Sequence, residues 1–444
     1  MSYLLNLIYL FVLLLLSPFL VYKAIATGKY RRGFGAKFLG RVPPTRPPHP
    51  RPLFPSETKC IWFHGVSVGE IHLLRQVVSK YRQRHPEHQL VISTTTDTGH
   101  DEARKCFPDL PIIYWPFDFS WAVNTALRRV QPDLVVLAES EIWPNFLWAA
   151  KKRGVKLALI NGRMSPRSAG RFKKLRWLVR GLFAKFDVVA AQTAEYAGHY
   201  RELGARNVIV TGSVKYDGAP TDRHNAETLA LREMFGIGPD DLVWVAGSTQ
   251  APEEEIVLGI YRRAAVQFPN LRLIIVPRQK DRFDDVANLL EGSGVPFVRR
   301  SALPLRSLTI PTRHQVILVD TIGELSAVWG LANIAFVGGS LDGQRGGQNM
   351  IEPAAYGAAV LFGPHTWNFK DTVARLKDGG AAVECANAAD LERELLQLLG
   401  DAESRMHLGD AAKRFVQSQQ GATEKTLQAL DILLAHASSA ARAA

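Results

Sequence analysis

The sequence predicts an α/β protein, with two parallel-sheet domains in succession behind an apolar N-terminal helix. Three observations predict it. Short apolar runs alternate with helix-period segments from residue 60 to about 212, and again from 242 to 362, the pattern of strands joined by helical crossovers. A polar, weakly patterned stretch at 213–240 separates the two series. Tyr3 to Tyr22 is an apolar run broken only by Asn6, Ser17 and Pro18, close to the ~20 residues that cross a bilayer core. The expected partition is a membrane anchor at 1–22, a basic, proline-rich linker at 23–56, a first domain at 57–215, a connection at 216–240, and a second domain with a helical tail at 241–444.

Residues 1–22 carry no charged side chain, and Lys23, Lys29, Arg31, Arg32, Lys37, Arg41, Arg46 and Arg51 all precede the first acid, Glu57. A cleaved secretion signal has the opposite order, basic residues first. The positive-inside rule puts the body of the chain in the cytoplasm, with the N-terminus outward if the segment spans. A short membrane-embedded helix that does not fully span is the alternative. The belt suits an anionic membrane surface. The net charge of +12 is concentrated there, and no nucleic-acid motif accompanies it, which argues against a nucleic-acid partner. Arg41 to Pro55 contains seven prolines and reads as a stiff extended spacer or a strap. Cys60, Cys106 and Cys385 are too scattered for a disulfide framework or a metal spacing.

In the first series the strands fall at 60–64, 89–94, 111–115, 133–138, 155–160, 187–191 and 207–211, with helices such as 70–84, 121–130, 142–152 and 195–203. The second has strands at 242–246, 271–276, 295–298, 315–319, 333–337 and 358–362, with helices at 252–267, 283–291, 324–331, 350–356 and 367–376 and a helical tail from 389 to 442. No GxGxxG follows the first strand of either domain, which argues against a dinucleotide dehydrogenase.

Loops at the carboxyl ends of strands are where an open α/β sheet places its chemistry. The first strand runs into Gly65-Val66-Ser67-Val68-Gly69-Glu70. Glu70 there either complements the helix dipole or serves as a base. Glu139 and Glu141 end another apolar strand. An acid so placed needs a partner, which Arg163 or Lys215 could supply. In the second domain, Gly247-Ser248-Thr249, Val276-Pro277-Arg278-Gln279-Lys280-Asp281-Arg282 and the glycine-rich run Gly338–Ser340 with Arg345–Pro353 also follow strands. Backbone N–H groups at such loops suit a phosphate, and Glu352 can accept ribose hydroxyls. Together they point to a nucleotide on the second domain.

These stretches resemble the Kdo (3-deoxy-D-manno-octulosonic acid) transferases of lipopolysaccharide synthesis. The similarity runs in order through His64–Glu70, Glu139–Asn145, Asn161–Ser168, Gly212–Asp217, Gly247–Thr249, Val276–Phe283, Asp320–Leu325, Phe336–Leu341, Arg345–Ala355 and Gly363–Asp371, and covers nearly the whole chain. The resemblance implies a GT-B glycosyltransferase, with two Rossmann-like domains facing a crevice. It implies an acceptor, a lipid A precursor such as lipid IVA, on the N-terminal domain and the donor CMP-Kdo on the C-terminal one. It further implies inverting transfer at the cytoplasmic face of the inner membrane, without a metal or other cofactor. By the same resemblance Glu70 is the general base, and Glu139 and Lys215 stabilise the transition state. CMP contacts fall on Pro277 and Arg278, on Ile322, Gly323 and Glu324, and on Asn349, Met350, Ile351 and Glu352. The chain departs from the family pattern at Gln250, Gln279 and Gln348, where histidine is usual, and at Gln344 in place of a glutamate. Glutamine keeps hydrogen bonding and loses titration. Another GT-B enzyme with a UDP-sugar donor, and a non-catalytic membrane-anchored protein binding nucleotide or lipid, are the competing readings.

Overall fold

The computed structural model describes residues 2–27, 32–44, 58–303 and 311–442. The proline-rich spacer from residue 45 onward, with Arg46 and Arg51, lies outside the described residues, as do Lys29 and Arg31. The chain forms two compact units. One is Met1–Asp217 joined by Gln420–Ala444, the other Gly218–Gln419.

The first unit begins with helices α1 (Ser2–Thr27) and α2 (Phe34–Leu39). Its sheet is all parallel, with strands β1 (Cys60–His64), β2 (Gln89–Thr94), β3 (Ile112–Tyr114), β4 (Leu134–Ala138), β5 (Lys156–Gly162), β6 (Val188–Ala191) and β7 (Val208–Val210). Their order is β3-β2-β1-β4-β5-β6-β7. Helices α3 (Val68–Arg84), α4 (Asp97–Cys106), α5 (Ser120–Val130) and α6 (Pro144–Lys152) follow the first four strands. Alternate residues of β1 feed opposite faces. Cys60 and Trp62 join the core with Trp115 and Phe146, while Ile61 and Phe63 join the other with Leu74 and Tyr81. Burial on both faces explains why this strand reads as a continuous apolar run.

The second unit repeats the plan with β8 (Leu242–Thr249), β9 (Leu271–Pro277), β10 (Phe297–Arg299), β11 (Val316–Leu318), β12 (Ile334–Val337), β13 (Ala359–Phe362) and β14 (Val383–Glu384), in the order β10-β11-β9-β8-β12-β13-β14. In each sheet the chain starts in the middle and builds both ways, with β11 of the second sheet turning back inward between β9 and β10. The switch points lie between β1 and β4 in one and between β8 and β12 in the other, where such sheets bind ligands.

Two expectations about domain limits are corrected. The tail after residue 419 does not stay with the second unit. Helix Ala422–Arg442 places Ala422, Leu427, Leu430 and Leu434 in the core of the first. Each of these three leucines contributes about 1.5–3 kcal/mol on burial. Asp217 accepts from Gly421 N–H at 2.7 Å and also from Thr423 N–H, and Arg84 pairs with Asp431 and Glu424 at 2.7 Å each. From Gly218 onward the expected connection is likewise part of the second unit. It carries helix Ala226–Met234, whose Thr228 hydroxyl donates to Ala327 O at 3.1 Å, while Arg223 Nε donates to Tyr356 O at 2.6 Å. Polar composition misled here because that helix buries only a narrow edge.

Candidate active site

In the first unit the switch point gathers the acids that the sequence singled out. Ser67 caps α3 and Glu70 answers it, with Ser67 Oγ 3.2 Å from Glu70 Oε1 and 3.4 Å from the Glu70 N–H. The other oxygen, Oε2, accepts the Val66 N–H at 2.7 Å. Burial pushes the Glu70 carboxyl up to about 7. The Val66 bond opposes this, and the charges of Glu139 and Glu141 add to it. Burial outweighs the Val66 and Ser67 hydrogen bonds. His64, six residues before, is fully buried, stacked on Trp115 at 3.9 Å, and burial pushes it down to about 3. It stays neutral at physiological pH and leaves Glu70 as the titrating group of this loop.

Glu139 follows β4, next to β1 in the sheet, and adopts a left-handed backbone with φ 60°. Its Oε1 lies 3.0 Å from Lys215 Nζ. Of the two acids left open, Glu139 therefore takes Lys215. Glu141 accepts the Trp143 indole N–H at 2.7 Å, and burial raises its carboxyl. Asn161 completes the group. Its Oδ1 accepts the Val214 N–H at 3.1 Å, which sets the short 3₁₀ turn that carries Lys215.

The second unit has a matching gathering between β8 and β12. Glu253 is fully buried at the start of helix Glu253–Gln267. Its two oxygens accept four backbone N–H groups: Gly339 at 2.7 Å, Ser340 at 2.9 Å, Leu341 at 3.1 Å and Gln250 at 3.1 Å. By sequence alone Glu253 is one of three acids in the first turn of that helix. A carboxylate held by four amides organises the glycine loop from beneath. Gly338 must lack a side chain, since a Cβ would meet Thr249 Cα at 2.6 Å.

Beyond that loop, Arg278 Nε donates to Gln348 Oε1 at 3.1 Å and Asn349 Nδ2 to Glu352 Oε1 at 2.9 Å. Burial raises the Glu352 carboxyl, and the Asn349 bond and the Arg278 charge ease it. The helix that follows, Ile351–Ala355, is only five residues long, and its Ile351 N–H is already taken by Asn349 Oδ1 at 3.0 Å. Met350 and Ile351 are buried and Pro277 ends buried strand β9, so these three could offer a ligand backbone groups only. Ile322 is exposed and Gly323 left-handed, while Glu324 is gripped by Arg300 at 2.7 Å, a partner that sequence reasoning missed. Gln250 and Gln348 come together around Gly339, whose Cβ would lie 3.4 and 3.2 Å from their Nε2 atoms. Two of the three glutamines that stand where histidine is usual thus share one place.

Residues 36–218 match the domain family described as 3-deoxy-D-manno-octulosonic-acid transferase (kdotransferase). A 3-deoxy-D-manno-octulosonic acid transferase of Haemophilus influenzae is 34% identical over 374 residues, covering 83% of this chain and 86% of the relative. The chain belongs to the Kdo transferase family. A second transferase of that name, from Bordetella pertussis, is 32% identical over 380 residues, 84% of this chain and 86% of the relative. Among solved structures, UDP-GlcNAc 2-epimerase from Neisseria meningitidis bound to UDP-GlcNAc is similar in fold, with TM-score 0.55 at 13% identity over 84% of this chain and 99% of that one. As a Kdo transferase the chain is a glycosyltransferase of GT-B architecture, and its two sheet switch points are the places to look for acceptor and donor chemistry.

Proposed function

We propose that the chain transfers Kdo from CMP-Kdo to a lipid A precursor, lipid IVA, in one inverting displacement, with Glu70 as general base. The observation that carries this reading is Glu70 itself. It is a carboxyl pushed by burial to about 7 and oriented by Val66 N–H and the Ser67 hydroxyl. A base with that affinity is matched to a neutral cytoplasm. The acceptor hydroxyl oxygen attacks the anomeric carbon, its proton passes to Glu70, and the bond to the CMP phosphate breaks with its electron pair leaving on CMP. Lys215, fixed by Glu139 at 3.0 Å, holds acidic sugar or phosphate oxygens. Arg278, beside the loop that Glu253 holds, receives the CMP phosphate, and Asn349 and Glu352 the ribose. No metal takes part in this scheme. In this reading the enzyme works at the cytoplasmic face of the inner membrane, against anionic lipid and close to its acceptor, which the apolar helix and the basic residues after it support. Mass spectrometry of a reaction with freshly made CMP-Kdo and a tetra-acylated lipid A precursor tests the reading. A product heavier by one or more Kdo units is expected. Transfer only from UDP-sugars, or none, would refute it.

A further inference from the structure

The N-terminal helix is tied to the first unit at both ends, and this restricts how it can meet a bilayer. Asn6 is 5% exposed. Its Nδ2 donates to Ser120 Oγ at 2.7 Å, and its Oδ1 accepts from Ser120 N–H at 3.0 Å and from Asn145 Nδ2 at 3.2 Å. Asn6 thereby caps α5, whose own N-cap residue, Phe119, supplies no side-chain acceptor. Three residues on, the Tyr9 hydroxyl donates at 3.0 Å to Asp118. Asp118 in turn caps α6, accepting from Asn145 N–H at 3.0 Å and Phe146 N–H at 2.9 Å. The start of α1 is thus built into two helix caps of the soluble body.

The other end is held as well. Five Cα steps separate Thr27 from Arg32, at most about 18 Å of chain. Arg32 forks onto Asp101 through two bonds of 2.7 Å. Lys37 of α2 is buried, 3.2 Å from Asp97 and 4.2 Å over the Tyr114 ring. A bilayer core is about 30 Å thick, more than that tether can bridge. Yet the rest of α1 is made for lipid. Leu4, Leu7, Phe11, Leu15 and Phe19 are all exposed, and Ser2–Phe19 has mean hydropathy 2.0. Tyr9 packs edge-on against buried Phe119, on which Trp121 stacks at 4.7 Å while staying 42% exposed.

We propose that α1 does not cross the membrane. It lies in the cytoplasmic leaflet along the body, with its Asn6–Tyr9 edge on the protein, its apolar faces in the acyl layer, and both ends on the side of the enzyme domains. This rests on the membrane reading above and corrects the outward N-terminus expected of a span. Full-length chains carrying Cys106→Ser with Tyr3→Cys, Leu14→Cys or Ile25→Cys provide the test, the remaining Cys60 and Cys385 being buried. In spheroplasts, a membrane-impermeant maleimide should label neither Tyr3→Cys nor Ile25→Cys from outside. Nitroxides at the three positions, in vesicles of phosphatidylethanolamine and phosphatidylglycerol, should report one shallow depth. Outside labelling of either end, or a depth maximum at residue 14 about 10 Å or more below both ends, overturns the in-plane placement. Recovery of the chain in the soluble fraction of cells instead fails the membrane reading itself, and the placement with it.

Discussion

Replacing Glu70 by glutamine separates catalysis from fold. The amide keeps an oxygen for the Val66 N–H, so the loop that carries it survives. Turnover should fall by ~10² to 10⁴, the range for loss of a general base, while CMP-Kdo binding stays within about threefold. Stability should move the other way. A carboxyl raised from an ordinary value to about 7 is penalised when ionised in the folded state. Its stabilising contribution is full below the unfolded pKa, near 4, and is lost as pH rises toward 7. About 2.5 pKa units correspond to ~3 kcal/mol, and partial solvent screening brings this to about 1–3. Glu70→Gln should therefore melt higher than the parent at pH 8 and level with it near pH 4.5. The assay is single-turnover transfer by mass spectrometry beside calorimetric melts at the two pH values. Turnover within tenfold of the parent would remove Glu70 from the base role. A lower melt at pH 8 would show that burial does not govern its carboxyl.

Glu139→Gln removes a charge that raises Glu70, so the acidic limb of kcat/KM should shift to lower pH; an unmoved limb would refute the coupling. Glu253→Gln should leave at least one loop amide unpaired, at about 1–3 kcal/mol, and raise the CMP-Kdo KM tenfold or more with a smaller effect on kcat; an unchanged KM would confine Glu253 to packing. Excess EDTA should leave turnover unchanged, and inhibition reversed by added divalent cation would overturn the metal-free scheme.

The alternation of buried strands and crossover helices was legible because β1 and β8 are buried on both faces and a glycine turn follows β1. β14 was missed because two residues at a sheet edge have no period to read. Glu70, Glu139 and Lys215 were legible as acids and a base after strands, but the meeting of Lys215 with Glu139 depends on the Asn161–Val214 bond, which joins positions 53 residues apart. The role of Glu253 was hidden for the same reason, since its partners lie 86 to 88 residues downstream. The return of the tail to the first unit could not be read either, because an amphipathic helix states that it packs, not on what.

Backbone strain adds an argument independent of any motif. Among the described residues four that are not glycine have positive φ: Gln131, Glu139, Asn161 and Ser248. Gln131 ends a helix, where a left-handed residue is ordinary. The other three stand at the carboxyl ends of β4, β5 and β8, within the two gatherings of polar groups described above. Such conformations cost of order 1 kcal/mol or more each and persist only where surrounding contacts over-determine them. For Glu139 and Asn161 those contacts are present. Glu139 is held through its backbone by Ile160 and Arg163 and through its side chain by Lys215, and Asn161 by Val214 and Gln192. A fold seeking only stability would relax these positions with glycine. Here each left-handed residue at a strand end aims a polar side chain where glycine would place none. The strain therefore falls where the Kdo transferase reading needs rigid, directed groups.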